Sequence, residues 1–382
     1  MDNLTHTLVG LAGAKAGLER LSPGATVVCM IAANAPDADI VAAFGGSWLY
    51  LKHHRGITHS IVGVVAIAII IALLYYAGAR IIARMRGRTS GVRLRGLTVA
   101  SLLASATHPL MDWTNNYGLR PLLPWSGRWF YGDLVYIIDP WLWLSLGGAA
   151  FLLTANNARW WRAAAWGALA LLATVAFVVL PLRVETSYPV VSRGLWLACL
   201  VALFVAHRMR VASRWGSSIA LAALAFVVVY WGVLGVLHGR AVARAGEIAA
   251  LAAQDGETVL RVAAMPQLAD PTRWRVLAET NAATYRFETS LLVRVEEELA
   301  APVALVRFEK PRGQAAELAA RAAADERAKI FLDFARFPVA RVAPQNCAEE
   351  LLVQFADLRY TEPGSARRTR NFGLEVPVRP AP

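Results

Sequence analysis

The sequence predicts an α-helical polytopic membrane protein of about six spans, with a re-entrant N-terminal hairpin and a C-terminal extramembrane α+β domain. Three observations support this fold class. The 382 residues are 57% hydrophobic and only 17% charged, which is unusual for a soluble protein. Apolar runs of near-spanning length recur through residues 1–238. From residue 239 the pattern changes to short alternating strands and a charged helix, so residues 239–382 are predicted to form a second domain.

Six apolar runs are predicted to cross the bilayer, at roughly 61–79, 97–111, 141–155, 163–182, 194–207 and 216–238. The second, third and fifth runs are short, so we expect tilted or thinned spans there. Before them, residues 7–18 and 24–35 are apolar but too short to span, and a turn at Ser22-Pro23-Gly24 joins them. This pattern predicts a re-entrant hairpin, with an ordinary pair of surface helices as the alternative.

The C-terminal domain has a different pattern of side chains. Residues 241–253 predict a short amphipathic helix that leaves the membrane, and residues 314–336 predict one helix rich in Ala, Glu and Arg. Strands are predicted at 258–264, 273–280, 283–293, 303–308, 350–360 and 372–378. The domain contains no catalytic constellation, so the chemistry is expected in residues 1–238.

Charge is distributed unevenly between the two domains. Residues 1–238 carry only eight acidic residues, whereas residues 239–382 carry nineteen, together with twenty Lys and Arg. The net charge of +12 therefore belongs almost wholly to the apolar domain, where arginines lie between the hydrophobic runs. This distribution is typical of a membrane protein in contact with lipid, and no nucleic-acid partner is expected. The three cysteines are far apart and predict neither a disulfide framework nor a zinc knuckle.

The arginines also predict the orientation of the chain. Residues 80–96 contain six arginines and no acidic residue, which is typical of a cytoplasmic segment. Alternation of the spans then places both termini, and the outer ends of the first two spans, on the opposite face. We therefore predict a multi-pass protein of the inner (cytoplasmic) membrane whose polar motifs and C-terminal domain lie on the outer, periplasmic face.

Five of the eight acidic residues of the apolar domain lie in a set of short polar motifs, and the same set contains four histidines. Ionisable groups at a membrane surface are costly to keep there unless they have partners, so this grouping predicts one metal site. The motifs are His6, Asn34-Ala35-Pro36-Asp37-Ala38-Asp39, His54-Arg55-Gly56-Ile57-Thr58-His59-Ser60, His108-Pro109-Leu110-Met111-Asp112, Asn115-Asn116, Asp133 and Asp139.

Six residues of these motifs are predicted metal ligands. His108 and Asp112 are four residues apart and share one helical face. His54 and His59 do not share a face, but a loop that enters a helix near Ser60 can bring them together. A mixture of histidine and aspartate without cysteine suits zinc best, with manganese and iron as alternatives. The predicted ligands are His6, Asp39, His54, His59, His108 and Asp112.

Three further residues are predicted to be catalytic. A bound cation lowers the pKa of a coordinated water, and Asp37 or Asp133 can serve as the base. Arg55 is predicted to bind an anionic substrate, because its planar guanidinium matches phosphate or carboxylate and does not ligate cations. The alternatives are structural: a head-group anchor for Arg55, and a simple turn for the aspartates after Pro36.

The ordered motifs, with Asn116-x-Gly118, resemble the YdjM-like family of inner-membrane-associated metal-dependent hydrolases over roughly residues 1–140. The most specific part of the resemblance is His-Arg-Gly-x-Thr-His-Ser at 54–60. The resemblance implies a membrane-bound metal hydrolase. The His-x-x-x-Asp pair is also similar to a ligand pair of zinc phospholipase C and P1-type nucleases, which implies phosphoester chemistry. The His-Glu-x-x-His and Gly-x-Ser-x-Gly signatures of other membrane hydrolases are missing.

Three functions follow in order of preference. The first is a divalent-metal hydrolase that acts on a lipid or lipid-linked phosphoester at the outer leaflet. The alternative is a non-enzymatic, metal-stabilised membrane scaffold whose outer domain binds a partner. A transporter is third, because the ionisable groups lie at span ends rather than at mid-span. The sequence leaves the substrate, the metal, the number of ions and the oligomeric state open.

Overall fold

The computed structural model of the protein describes residues 1–155, 160–179, 189–300, 305–344, 351–365 and 372–379. These residues form two compact units. Unit 1 contains Met1–Ala38, Arg55–Val236 and Pro266–Pro271, and unit 2 contains Asp39–His54, Leu237–Met265 and Thr272–Pro382. The main division at Val236/Leu237 lies next to the domain boundary predicted at 238/239.

The helices and strands are numbered in chain order. The helices are α1 (Asn3–Ala16), α2 (Ala25–Ala32), α3 (Ser47–His53), α4 (Ile61–Met85), α5 (Leu94–Trp113), α6 (Pro140–Leu142), α7 (Gly148–Ala155), α8 (Trp160–Thr174), α9 (Val190–Arg208), α10 (Val211–Trp215), α11 (Ser217–Ala252), α12 (Val295–Ala300), α13 (Gln314–Ala322) and α14 (Glu326–Phe334). The strands are β1 (Val259–Gln267), β2 (Asp270–Thr280), β3 (Ala283–Ser290), β4 (Val306–Glu309), β5 (Pro338–Pro344), β6 (Leu351–Asp357) and β7 (Gly373–Val378). Short 3₁₀ segments cover Leu18–Leu21, Ala35–Gly45 and Ile57–His59, and π-helical turns cover Trp143–Gly147 and Val175–Val179.

Within the described ranges, four helical segments are long and apolar enough to cross a membrane: Ile61–Met85, Trp160–Val179, Val190–Arg208 and Ser217–Ala252. The six spans predicted from the sequence are therefore not confirmed. Pro140–Ala155 is apolar but short, at about 24 Å against a hydrocarbon core of about 30 Å. α5 has 20 residues, but its buried face carries Ser101, Ser105, His108 and Asp112, which make it less apolar. Residues 180–182 of the predicted fourth span, and most of the loop 183–193, lie outside the described residues.

The predicted N-terminal hairpin consists of α1 and α2, joined by the 3₁₀ turn Leu18–Leu21. The two helices approach closely because small residues face each other, and a Cβ atom added at Gly10 would lie 2.6 Å from the carbonyl oxygen of Cys29. α2 together with Ala35–Gly45 is also apolar enough to form one broken span, which would raise the number of spans to five. The placement of this hairpin within the membrane stays a prediction.

α5 is the central helix of the part of unit 1 that carries the polar motifs. The Cys29 thiol of α2 lies 3.7 Å from the Ala100 carbonyl of α5, and the Ser101 hydroxyl of α5 donates to the Ala68 carbonyl of α4 at 2.8 Å. The shared core consists of Ala14, Ala25, Val28, Cys29, Ala32, Ala33, Ala72, Leu97, Ala100 and Ala104. Small side chains allow α1, α2, α4 and α5 to pack closely, and this packing fixes the positions of the polar residues at their ends.

Unit 2 confirms the predicted α+β character of the C-terminal residues. β1–β4 form a four-stranded sheet in sequence order, and β5–β7 form a three-stranded antiparallel sheet. Ala241, Ala245 and Ile248 pack against the first sheet at Trp274 and Tyr285. The helix predicted at 241–253 is thus the last part of the continuous 36-residue helix α11, not a separate element.

Unit 2 differs from the sequence prediction in two further features. The single helix predicted at 314–336 is divided into α13 and α14, because Asp325 leaves the helical conformation and caps α14 by accepting from Arg327 N at 2.8 Å. The strand β5 was not predicted. It begins and ends with proline, and proline in a sequence usually indicates a break between elements. β5 is an edge strand, however, where a missing N–H is tolerated.

Candidate metal centre

Four side chains of unit 1 form a group that can hold a metal ion: Asp37, His59, His108 and Asp112. His59 is the last residue of a 3₁₀ turn, and Ser60 directly after it caps α4 by accepting from Gly63 N at 3.1 Å. His108 and Asp112 lie one turn apart on the buried face of α5. The His59, His108 and Asp112 side chains are at most 1% exposed, whereas that of Asp37 is 20% exposed.

The distances from the two imidazole Nε2 atoms to the other ligand atoms fit a tetrahedral site. The Nε2 atoms of His59 and His108 lie 3.1 Å apart. Asp37 Oδ1 lies 3.3 Å from His59 Nε2 and 3.4 Å from His108 Nε2. Asp112 Oδ2 lies 3.3 Å and 3.5 Å from the same two nitrogens. Ligand bonds of about 2.0–2.1 Å in tetrahedral geometry separate the donor atoms by about 3.3 Å, so an ion of zinc size fits between them.

Hydrogen bonds on the outer side of each imidazole direct Nε2 toward the centre of the group. His108 Nδ1 donates to the Ala33 carbonyl oxygen at 2.6 Å, and His59 Nδ1 pairs with the Thr58 hydroxyl at 3.0 Å. Metal-binding histidines use the same arrangement, in which the second ring nitrogen is fixed by a backbone or side-chain oxygen. The two Nε2 atoms therefore point into the same small volume, as two ligands of one cation would.

An unsatisfied carboxylate oxygen also indicates a cation. Asp112 is 1% exposed, and its Oδ2 atom has no hydrogen-bond partner among the residues that the structure describes. A buried carboxylate oxygen without a donor is costly, and coordination to a divalent ion removes this cost. The donor set of two imidazoles and two carboxylates therefore fits a divalent metal.

His6 lies directly beside this group. Its ring stacks on that of His108 at a centroid distance of 3.8 Å, and its Nε2 atom lies 3.4 Å from Asp112 Oδ1. Burial lowers the pKa of His6 to about 4, so its imidazole is neutral at pH 7 and has the form that binds metals. The same Asp112 oxygen contacts the α-amino group of Met1.

Arg55 is held against Asp112 by a second set of contacts. Its Nη2 donates to Asp112 Oδ1 at 3.0 Å, and its Nη1 donates to Asn115 Oδ1 at 3.0 Å. The guanidinium lies over the ring of Tyr117 at 4.8 Å, and Nη1 also lies 3.4 Å from the Gly118 carbonyl oxygen. Arg55 is 3% exposed, so the structure places it as a positioning residue for Asp112. Contact with a substrate stays a prediction.

Three predicted site residues are not members of the group of four. Asp39 and His54, both predicted ligands, belong to unit 2, where Asp39 Oδ1 lies 3.1 Å from His54 Nδ1. Asp133, a predicted base, is buried in unit 1 in a left-handed backbone conformation and is not a member of the group of four. Asp37, predicted as a base, is a member. Asp139 caps α6, because its Oδ1 accepts from Trp141 N at 2.9 Å.

Two contributions to the site were not predicted from the sequence. The Ala33 carbonyl and the Thr58 hydroxyl orient the two imidazoles, and Asn115 and Tyr117 hold Arg55. A backbone carbonyl carries no sequence signal. Asn115 and Thr58 do lie inside the polar motifs, so the sequence indicated that they are near the site. It did not indicate which side chains they contact.

The fold and the group of four define a helical membrane protein with a candidate His/Asp metal centre. Residues 1–183 match the family model described as YdjM inner membrane protein, so this part of the chain is similar to that family. The match confirms the resemblance that the motifs indicate.

One curated relative is the uncharacterized protein YfhP of Bacillus subtilis (strain 168), which is 32% identical over 156 residues. The alignment covers 38% of this chain and 44% of YfhP, so the chain spans less than half the length of this relative. No solved structure matches the chain significantly.

Proposed function

We propose that the protein is a membrane-bound, metal-dependent hydrolase that acts on a lipid or lipid-linked phosphoester. The observation that carries the proposal is the convergence of Asp37, His59, His108 and Asp112 with donor-atom separations of 3.1–3.5 Å. A divalent ion held by this group would act as a Lewis acid and would lower the pKa of a bound water. Zinc suits the donor set best, and manganese or iron are alternatives.

The exposure of the four side chains suggests how the site works. His59, His108 and Asp112 are sealed inside unit 1, so they supply three ligands from the protein interior. Three protein ligands with one open position are typical of catalytic rather than structural zinc sites. The side chain of Asp37 is the accessible member, and this exposure favours a position for Asp37 between the buried ligands and an incoming substrate. Asp37 then acts as the general base that takes a proton from the attacking water.

The surroundings of the group favour a substrate at the membrane surface. His59 lies immediately before α4, the 25-residue apolar helix, and polar groups at the start of a span are level with lipid head groups. Arg55 and the α4 N-terminus supply positive potential near this end, which favours an anionic group such as a phosphate ester. A phosphoester carried by a lipid fits both the position of the site at the level of the head groups and the positive potential near it.

Substitution of Asp37 by asparagine tests hydrolysis. Purified, zinc-loaded full-length protein is given phosphatidic acid, phosphatidylglycerol and a polyprenyl diphosphate in mixed micelles, and released phosphate or head group is measured. We expect turnover of at least one substrate and a fall of ~100-fold or more in the Asp37→Asn variant, because general bases contribute this much. Asp255→Asn, which changes an exposed aspartate of unit 2, should retain full turnover.

The metal content of the same samples separates two roles for Asp37. A variant that retains its ion but loses turnover identifies Asp37 as the base, whereas loss of the ion identifies it as the fourth ligand. Unchanged turnover in Asp37→Asn would contradict the proposed site. A metal-loaded wild type that hydrolyses no member of the panel would favour the alternative, a metal-stabilised scaffold.

We also propose that the site and unit 2 face the periplasm, because six arginines at 80–96 favour the cytoplasm. Alkaline phosphatase folds only in the periplasm, so a fusion of this enzyme after residue 382 should be active. A fusion at Gly87, in the arginine segment, should be inactive and serves as the control. An active fusion at Gly87 together with an inactive fusion after residue 382 would show that the orientation is the reverse of the one proposed. This result would exclude an outer-leaflet substrate.

A further inference from the structure

The opposite end of α4 carries a groove that the candidate metal centre does not use. The groove has a volume of ≈ 490 Å³, and its lining runs from Tyr75, Gly78 and Ile82 on α4 to Arg86, Arg88 and Ser90 beyond the end of the helix. One half of the lining is therefore apolar or small, and the other half is cationic and hydroxylic. We name this feature the arginine groove.

The cationic half of the arginine groove is not neutralised locally. The sequence contains no acidic residue between Asp39 and Asp112, so no carboxylate lies within this stretch of chain. Arg86 and Arg88 are exposed, and no ion pair involves them in the part of the chain that the structure describes. By contrast, Arg80 donates to the Tyr76 hydroxyl at 2.8 Å, and Arg93 donates to the Arg20 carbonyl at 2.8 Å. Two guanidiniums thus remain available for an external anion.

The position of the groove along α4 selects among anions. A helix of 25 residues is about 37 Å long, which exceeds a hydrocarbon core of about 30 Å. The last turn of α4 therefore reaches the level of lipid phosphates when the helix spans the bilayer. Gly78 leaves room along the helix, since a Cβ atom added there would meet nothing within 4 Å. An acyl chain can lie along this part while a phosphate contacts the arginines.

We propose that the arginine groove binds the phosphate head group and the adjoining acyl chain of an anionic glycerophospholipid. Guanidinium pairs with phosphate through two parallel hydrogen bonds, and the Ser90 hydroxyl is a further donor in the lining. A free phosphate would use only the cationic half, whereas a phospholipid matches both halves of the lining. The proposal does not depend on the metal centre, because none of the four ligands lines the groove.

The test titrates the detergent-solubilised full chain with phosphatidylglycerol or phosphatidylcholine and counts bound lipids by native mass spectrometry. We expect at least one tightly bound phosphatidylglycerol and much weaker phosphatidylcholine. Arg86→Ala/Arg88→Ala should weaken phosphatidylglycerol binding about 30-fold, since each cation near a lipid surface contributes about fivefold. Arg84→Ala/Arg95→Ala removes the same charge from exposed positions outside the groove and should change binding less than about threefold.

A third variant, Gly78→Leu, fills the apolar half without changing any charge and should also weaken phosphatidylglycerol binding. Equal losses in the two double-alanine variants would show diffuse attraction rather than a groove, and would overturn the proposal. Equal binding of phosphatidylcholine, or unchanged binding in Gly78→Leu, would do the same. Displacement of the lipid by excess inorganic phosphate would identify the groove as a site for a free anion.

Discussion

Replacement of His59 by alanine is expected to lower the affinity of the purified protein for zinc by more than 100-fold. His59 Nε2 lies within 3.1–3.3 Å of the other three donor atoms, so its loss removes one corner of the site. Changes to residues that only support a ligand cost about 10–100-fold, and the loss of a ligand exceeds that range. Metal content after dialysis, followed by competition with a chelator, measures the effect.

Two further variants make this experiment specific. Asp112→Ala is expected to lose the ion in the same way, because Asp112 supplies the unsatisfied Oδ2 atom. His53→Ala changes an exposed histidine of the same polar stretch and should retain full occupancy. Full occupancy in both His59→Ala and Asp112→Ala would reject the group of four as a metal centre, whereas equal losses in all three variants would indicate adventitious binding to surface histidines.

Arg55→Lys is expected to weaken zinc binding about tenfold or more, although arginine is not a ligand. The guanidinium holds Asp112 Oδ1 with one nitrogen and Asn115 Oδ1 with the other, and a lysine ammonium cannot reproduce this planar fork. Asp112 then loses its fixed orientation, and the buried lysine ammonium makes fewer hydrogen bonds than the guanidinium that it replaces. The sequence alone gave a different expectation, namely that Arg55 acts on the substrate and leaves the metal in place.

Turnover at saturating zinc separates the two roles of Arg55. If the residue only positions Asp112, saturation with zinc should restore most of the turnover. If it also contacts an anionic group in the transition state, turnover should stay ~100-fold lower at full occupancy. Arg128→Lys, at an exposed position in the loop after α5, is the control and should change neither quantity. Unchanged zinc affinity in Arg55→Lys would contradict the positioning role.

The part of the site that sequence reasoning located best is the part built on a regular helix. His108 and Asp112 share a face of α5 because helical periodicity fixes the direction of side chains four residues apart. The stretch from Asp37 to His59 contains two 3₁₀ segments and a short helix, where no fixed period relates one side chain to the next. For this reason Asp39 and His54 were expected among the ligands, whereas Asp37 is the member of the group of four.

The same distinction applies to the fold. Long apolar runs predicted α4, α8, α9 and α11, because burial in lipid requires many apolar residues in succession. The runs at 97–111 and 141–155 read as spans from their composition. α5, however, directs a polar face into the protein core, and Pro140–Ala155 is short. How much of a helix faces protein rather than lipid depends on tertiary packing, which a hydrophobic pattern does not contain.

X-ray absorption at the zinc edge of the purified, zinc-loaded full chain tests the metal centre most directly. The structure predicts a single shell of four nitrogen and oxygen ligands at about 2.0–2.1 Å, with the outer-shell scattering of two imidazoles and without a sulfur ligand. His59→Ala should lose one imidazole contribution. A sulfur ligand near about 2.3 Å, or a shell of oxygen atoms without imidazole scattering, would contradict the assignment of His59 and His108 as zinc ligands.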